Sequence, residues 1–122
     1  MNSYNNEIIK NIFMEERPWG NFRRYAYNET CTVKILTVHP NQQLSKQVHK
    51  NRDELWVILD EDLIVERNDE VLKPKPGDEI VIPRTVAHRL SSQDKLGRVL
   101  EISFGFFDEN DEERIEDIYG RK

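Results

Sequence analysis

Short runs of apolar residues, many of them alternating with polar ones, fill most of the chain and predict strands. Cys31 to Val38 alternates, with Val33, Ile35 and Thr37 on one face. Leu55-Trp56-Val57-Ile58-Leu59 is continuously apolar, the pattern of a strand buried on both sides. Leu63 to Arg67, Glu79 to Pro83 and Arg98 to Phe104 read as further strands, and Phe22 to Tyr27 opens the series with an aromatic-rich run. Turn signals separate them at Pro40-Asn41, Asp60-Glu61-Asp62, Asn68-Asp69 and Pro74-Lys75-Pro76-Gly77. Many short strands at this spacing indicate an all-β sandwich, barrel or jelly roll. Helical spacing is expected at both ends. Ile8, Ile9, Ile12 and Phe13 form one apolar stripe over 6–13, halted by Arg17-Pro18-Trp19-Gly20. Asn110 with Glu113 makes a capping box ahead of Ile115, Ile118 and Tyr119, and Gly120 can end that helix. Trp19 and Trp56 read as core packing.

A length of 122 residues, 34% charged and 37% hydrophobic, fits one globular domain. No run approaches the roughly 20 apolar residues of a membrane-crossing helix, and Met1 to Glu7 lacks the basic start and apolar run of a signal peptide. Cys31 is the single cysteine, which rules out an internal disulfide and makes the reducing cytoplasm the default location. The net charge of -5 is concentrated at the C-terminus. Residues 108–122 hold seven acids against three bases, a balance of -4, which leaves -1 for the rest of the chain. Without a basic face the chain is not read as a nucleic-acid binder, although local arginines can still hold a small anion.

Two segments carry metal-ligand chemistry. Gln47 and His49 are two apart and leave the same face of a strand, Glu54 can return to that face after a tight turn, and His88 is supplied from far along the chain. Imidazole nitrogens with carboxylate and amide oxygens suit zinc, iron, nickel or manganese, and such mixed sets usually keep coordination positions open for water or substrate.

The same residues lie in motifs that resemble the cupin family, specifically the type II mannose-6-phosphate isomerase domain that also forms the C-terminal half of bifunctional guanylyltransferase/isomerases. The motifs are Arg17-Pro18-Trp19-Gly20, Leu44-Ser45-Lys46-Gln47-Val48-His49, Arg52-Asp53-Glu54-Leu55-Trp56, Ile82-Pro83 with His88-Arg89-Leu90, and Arg114-Ile115-Glu116-Asp117-Ile118-Tyr119-Gly120-Arg121. The resemblance implies a double-stranded β-helix (the cupin jelly roll) with short N- and C-terminal helices. It implies a single domain over 1–122, with a core of about 17–107 and an acidic helical tail over 108–122.

By position, Gln47, His49, Glu54 and His88 match the metal ligands, usually zinc. Arg52 and Glu101 are the catalytic candidates, Glu101 as the base. Lys46, Arg17, Arg84, Arg89 and Ser103 are candidates for substrate contacts. The implied activity is interconversion of mannose 6-phosphate and fructose 6-phosphate through an enediolate, in a homodimer. A second reading is a cupin that binds a sugar phosphate or sugar nucleotide in polysaccharide metabolism without turning it over. Three departures from the family pattern favour that reading: Lys50 and Asn51 replace frequent histidines, and Thr85 replaces a glycine.

Overall fold

The computed structural model describes residues 10–105, 108 and 110–119. Eleven antiparallel strands make up the regular structure of these residues. They are β1 (Phe13–Arg17), β2 (Gly20–Arg24), β3 (Cys31–Val38), β4 (Lys46–Val48), β5 (Asp53–Ile58), β6 (Leu63–Arg67), β7 (Glu70–Leu72), β8 (Glu79–Ile82), β9 (His88–Ser92), β10 (Gly97–Phe104) and β11 (Glu113–Glu116). They form a hairpin, β1-β2, a four-stranded sheet ordered β3-β10-β5-β8, and a five-stranded sheet ordered β11-β4-β9-β6-β7. No helix among the described residues is long and apolar enough to cross a membrane.

Strand periodicity explains where the core lies. Alternate residues of β5, β8 and β10 point between the two sheets, where Trp56, Ile58, Ile80, Ile82 and Val99 meet Val38 of β3, Leu63 and Val65 of β6, and Leu90 of β9. The intervening residues Leu55, Val57, Val81 and Ile102 form a second core on the outside of the four-stranded sheet, covered by Ile12 and Tyr25 beside the hairpin. The fully apolar run of β5 is therefore buried on both faces, as its sequence predicts. At Gly97 the sheets approach so closely that an added Cβ would lie 2.4 Å from Leu63 Cδ2.

No terminal helix is found among the described residues. Half of the stripe expected over 6–13, including Ile8 and Ile9, lies outside them. Phe13 at its end belongs to β1, which pairs with β2 from Phe13↔Arg24 to Arg17↔Gly20 across a Pro18-Trp19 turn. Gly20, at φ 145°, supplies a backbone conformation that other residues rarely adopt. Trp19 at that turn is 73% exposed, which corrects its assignment to the core. The predicted C-terminal helix is also a strand. Glu113 to Glu116 pairs with β4, with a register shift between Arg114 and Glu116, while Asp108 to Asp111 turns through an Asp111 N–H bond to the Asp108 carbonyl (3.0 Å). β4 would otherwise present an unpaired edge, and filling it outweighs the local capping signal at Asn110 and Glu113. Glu113–Glu116 of the acidic tail thus belongs to a sheet.

Gly97→Ala is expected to destabilise the fold by about 1–3 kcal/mol, because Leu63 has to move out of a close-packed position. A lowered denaturant midpoint at unchanged slope checks this.

Candidate metal centre

Four strands, β4, β5, β9 and β10, bring the polar residues to one end of the space between the sheets. Gln47 in β4 stands opposite His88, the first residue of β9, and His49 follows directly after β4. Glu54 in β5 is flanked by Ser103 of β10 and Ile82 of β8. Glu101, two residues before Ser103, shares its face and stands between Trp56 and Lys34. His49, Arg52, Glu54, His88, Glu101 and Ser103 are all buried.

Ligand atoms of His49, Glu54 and His88 lie within 4.8 Å of one another. Each imidazole is oriented through its other nitrogen: His49 Nδ1 is 2.7 Å from the Asp111 carbonyl oxygen and His88 Nδ1 is 3.0 Å from that of Val86. A carbonyl only accepts, so both Nδ1 atoms carry the hydrogen and both Nε2 lone pairs face the centre. They approach Glu54 Oε2 and Oε1 at 3.5 and 3.9 Å. Burial pushes the His88 imidazole below its ordinary pKa, against the opposing pull of Glu54, and neutral imidazole is the form that ligates. Gln47 donates its amide nitrogen to Ser45 Oγ at 2.8 Å, which leaves the amide oxygen as its remaining acceptor.

This donor set fits a divalent cation: two imidazoles with inward lone pairs and a carboxylate, with Gln47 opposite His88 in the β4–β9 pairing. Arg52 occupies the same lone pairs, donating from Nε to Glu54 Oε2 (2.9 Å) and from Nη2 to His49 Nε2 (3.2 Å). Ligation through Nε2 therefore requires the guanidinium to shift. Trp56 donates its indole N–H to Glu54 Oε1 at 3.2 Å, so this residue, expected as packing alone, also answers the carboxylate.

Glu101 has its pKa raised from 4.5 to about 7, first by burial and then by the neighbouring Glu54 charge, with Lys34 and Arg52 opposing. Ser103 Oγ lies 3.5 Å from Glu54 Oε2. The other four candidates are engaged elsewhere. Arg17 pairs with Glu15 and stacks over Phe22, Arg84 pairs with Asp53, Arg89 binds Glu116 at 2.8 Å, and Lys46 stands opposite Glu116 in the β4–β11 pairing. Lys50 and Asn51, where the family often has histidine, are exposed. Imidazoles at those two positions would stand outside the buried trio. Lys34 and Asp111 carry no recognisable motif, and only the folded register brings them to the site.

A family model described as mannose-6-phosphate isomerase C-terminal matches residues 4–117. The chain belongs to this family. Among curated relatives, the xanthan biosynthesis protein XanB of Xanthomonas campestris pv. campestris is 37% identical over 107 residues, which cover 86% of this chain and 23% of that protein. The alginate biosynthesis protein AlgA of Pseudomonas aeruginosa is 33% identical over 86% of this chain and 22% of its own length. The mannose-1-phosphate guanylyltransferase ManC of Salmonella typhimurium is 36% identical over the same shares. The chain therefore spans less than a quarter of these relatives.

Solved structures support the cupin fold. The capsular polysaccharide assembling protein CapF from Staphylococcus aureus aligns with TM-score 0.62 at 15% identity, over 87% of this chain and 33% of that one. A cupin-superfamily sugar phosphate isomerase from Silicibacter pomeroyi aligns with TM-score 0.57 at 16% identity, over 62% and 51%.

Two outcomes follow for this family member. Between pH 4.5 and 7 only folded Glu101 keeps its proton, so the folded state binds more protons than the unfolded one across that window. Metal-free protein should lose stability as pH rises from about 4.5 to 7 and level off above, and Glu101→Gln should flatten that slope in thermal melts. Thr85, at φ 69°, holds a β-branched residue in the left-handed region while its N–H binds the His49 carbonyl at 2.7 Å. Thr85→Gly should stabilise the protein by up to about 1 kcal/mol, read as a rise in melting temperature, because relief of strain exceeds the added chain entropy.

Proposed function

We propose that the chain is a metal-dependent aldose–ketose isomerase acting on a phosphorylated hexose, with mannose 6-phosphate and fructose 6-phosphate as the pair. The geometry that carries this reading is buried Glu101 on the same inner face as Glu54, beside the converging His49, Glu54 and His88, with burial raising its pKa to about 7. A group near half-ionised at neutral pH can both accept and return a proton.

In the proposed reaction Glu101 carboxylate takes the proton from C2 of the aldose and delivers it to C1 while the O2 hydroxyl proton passes to O1, so the enediolate collapses to the ketose and Glu101 is again ionised. The guanidinium of Arg52 donates to the developing oxyanion, its fork of N–H groups already held at this depth by Glu54 and the Asp108 carbonyl. Ser103 supports Glu54. Gln47, His49, Glu54 and His88 would hold the metal, zinc by donor type, and it would supply Lewis-acid polarisation of the substrate carbonyl.

Two copies are proposed to pair as a homodimer. β3 is an edge strand whose outer Val33 and Ile35 are 57% and 56% exposed, the kind of edge that pairing would protect.

The decisive test joins metal analysis to solvent proton exchange at C2 of mannose 6-phosphate. Metal should co-purify, be lost in His49→Ala and His88→Ala, and remain in Glu101→Gln. Exchange in Glu101→Gln should fall by about 10²–10⁴-fold. Bound metal with no exchange on phosphorylated hexoses or pentoses would leave the binding-only cupin as the surviving reading.

A further inference from the structure

One residue outside both ligand motifs binds three consecutive residues of the ligand turn. The Asp111 carbonyl oxygen lies 2.7 Å from His49 Nδ1. Its carboxylate accepts the Lys50 N–H at Oδ1 and the Asn51 N–H at Oδ2, both at 2.9 Å. His49, Lys50 and Asn51 link Gln47 in β4 to Arg52 and Glu54, so the conformation of these residues sets the separation of the ligands. Neither amide lies in a named strand, and an N–H lacking a sheet partner needs another acceptor to stay in one geometry. Asp111 supplies both acceptors.

The segment around Asp111 is itself tied down. Its N–H bonds the Asp108 carbonyl at 3.0 Å, and that carbonyl also accepts from Arg52 Nη1 at 3.2 Å. Two residues further on, Glu113 pairs with Val48 and Arg114 with Gln47. Asp108, Asp111 and Arg114 therefore meet Arg52, His49 and Gln47 respectively.

We propose that Asp111 is a positioning residue of the metal centre, clamping the His49 turn through its carboxylate and fixing the Nδ1–H tautomer of His49 through its carbonyl. The proposal rests on the metal-centre reading above. A ligating histidine held through its second nitrogen keeps its lone pair aimed, and loss of such a partner typically weakens metal binding 10–100-fold. The acidic segment around Asp111 thereby acquires a role distinct from substrate binding: it completes the ligand geometry from the turn that leads into β11.

The test uses the full chain and reads zinc affinity by competition with a chromogenic chelator. The His49 tautomer is read separately from ¹⁵N ring shifts of the metal-free protein. Asp111→Ala removes the carboxylate and keeps the carbonyl; with the His49 turn unclamped it should weaken zinc binding 10–100-fold, and any release of the carbonyl contact appears as a mixture of His49 tautomers. Asp111→Asn, which keeps one acceptor oxygen and the side-chain volume, should fall between wild type and Asp111→Ala, and it carries the test if the alanine variant does not fold. Glu112→Gln removes the neighbouring 2.8 Å ion pair with Arg114 and should leave affinity unchanged. Wild-type affinity in both Asp111 variants, or an equal loss in Glu112→Gln, overturns the clamp while leaving the metal centre intact. Absence of zinc binding by the wild-type chain overturns the metal-centre reading and the clamp with it.

Discussion

A carboxylate buried without contact with water has to be matched by donors or cations, and Glu54, 0% exposed, imposes that requirement on one end of the fold. Arg52, the Trp56 indole, Ser103 and two histidines surround it from β5, β9, β10 and the turns beside them. The donors are Arg52, the Trp56 indole and Ser103, since the histidines turn Nε2 lone pairs toward the carboxylate, and removing any one donor leaves a buried charge partly unanswered. Its position follows from β5, whose even-numbered residues point between the sheets: Glu54 at the polar end, then Trp56 and Ile58 in the apolar core. The same strand therefore carries both the packing and the chemistry.

Glu54 also determines the state of its neighbour. A second carboxylate on the facing strand cannot ionise at its ordinary value beside an existing charge in a dry chamber, and Glu101 is raised to about 7 by burial and by Glu54 together. His88 is pushed the other way, since burial disfavours its charge and lowers its pKa, while backbone carbonyls accept the Nδ1 hydrogens of both histidines and fix their ring orientation. Those carbonyls come from loops that the sheets hold in place, at Val86 and at Asp111. Strain at Thr85 lies on the same loop as Val86, where the backbone bends to meet His49.

Much of this was legible in the residues. Strand alternation predicts which side of β5 and β10 faces inward, and the spacing of Gln47, His49 and Glu54 predicts their convergence once the turn is allowed. Local signals misled at both ends. The capping box at Asn110 is genuine chemistry, but the open edge of β4 recruits Glu113 to Glu116 as a strand. Trp19 looks like core by size and is exposed because a tight hairpin turn places it at a tip. Asp111 and Lys34 were illegible because their importance depends on register with strands about sixty residues away, which no local pattern encodes. Lys50 and Asn51 are substitutions on the outer side of the ligand turn, so they leave the buried donors unchanged.

Charge within the chamber bears on what it can hold. Glu54 and ionised Glu101 are opposed by Arg52 and by Lys34, which stands opposite Glu101 on β3 and pulls its pKa down. Those four groups balance to zero, although the whole chain carries -5. Arg17, Arg84 and Arg89 do not alter the balance, because each is already committed to an acid at the surface. A divalent cation held by the proposed ligands would tip the chamber positive, and at low local dielectric that excess acts strongly over a few ångströms. An acidic protein can in this way favour an anionic sugar, because the interaction is set by the few groups lining the chamber and the distant tail charges are screened.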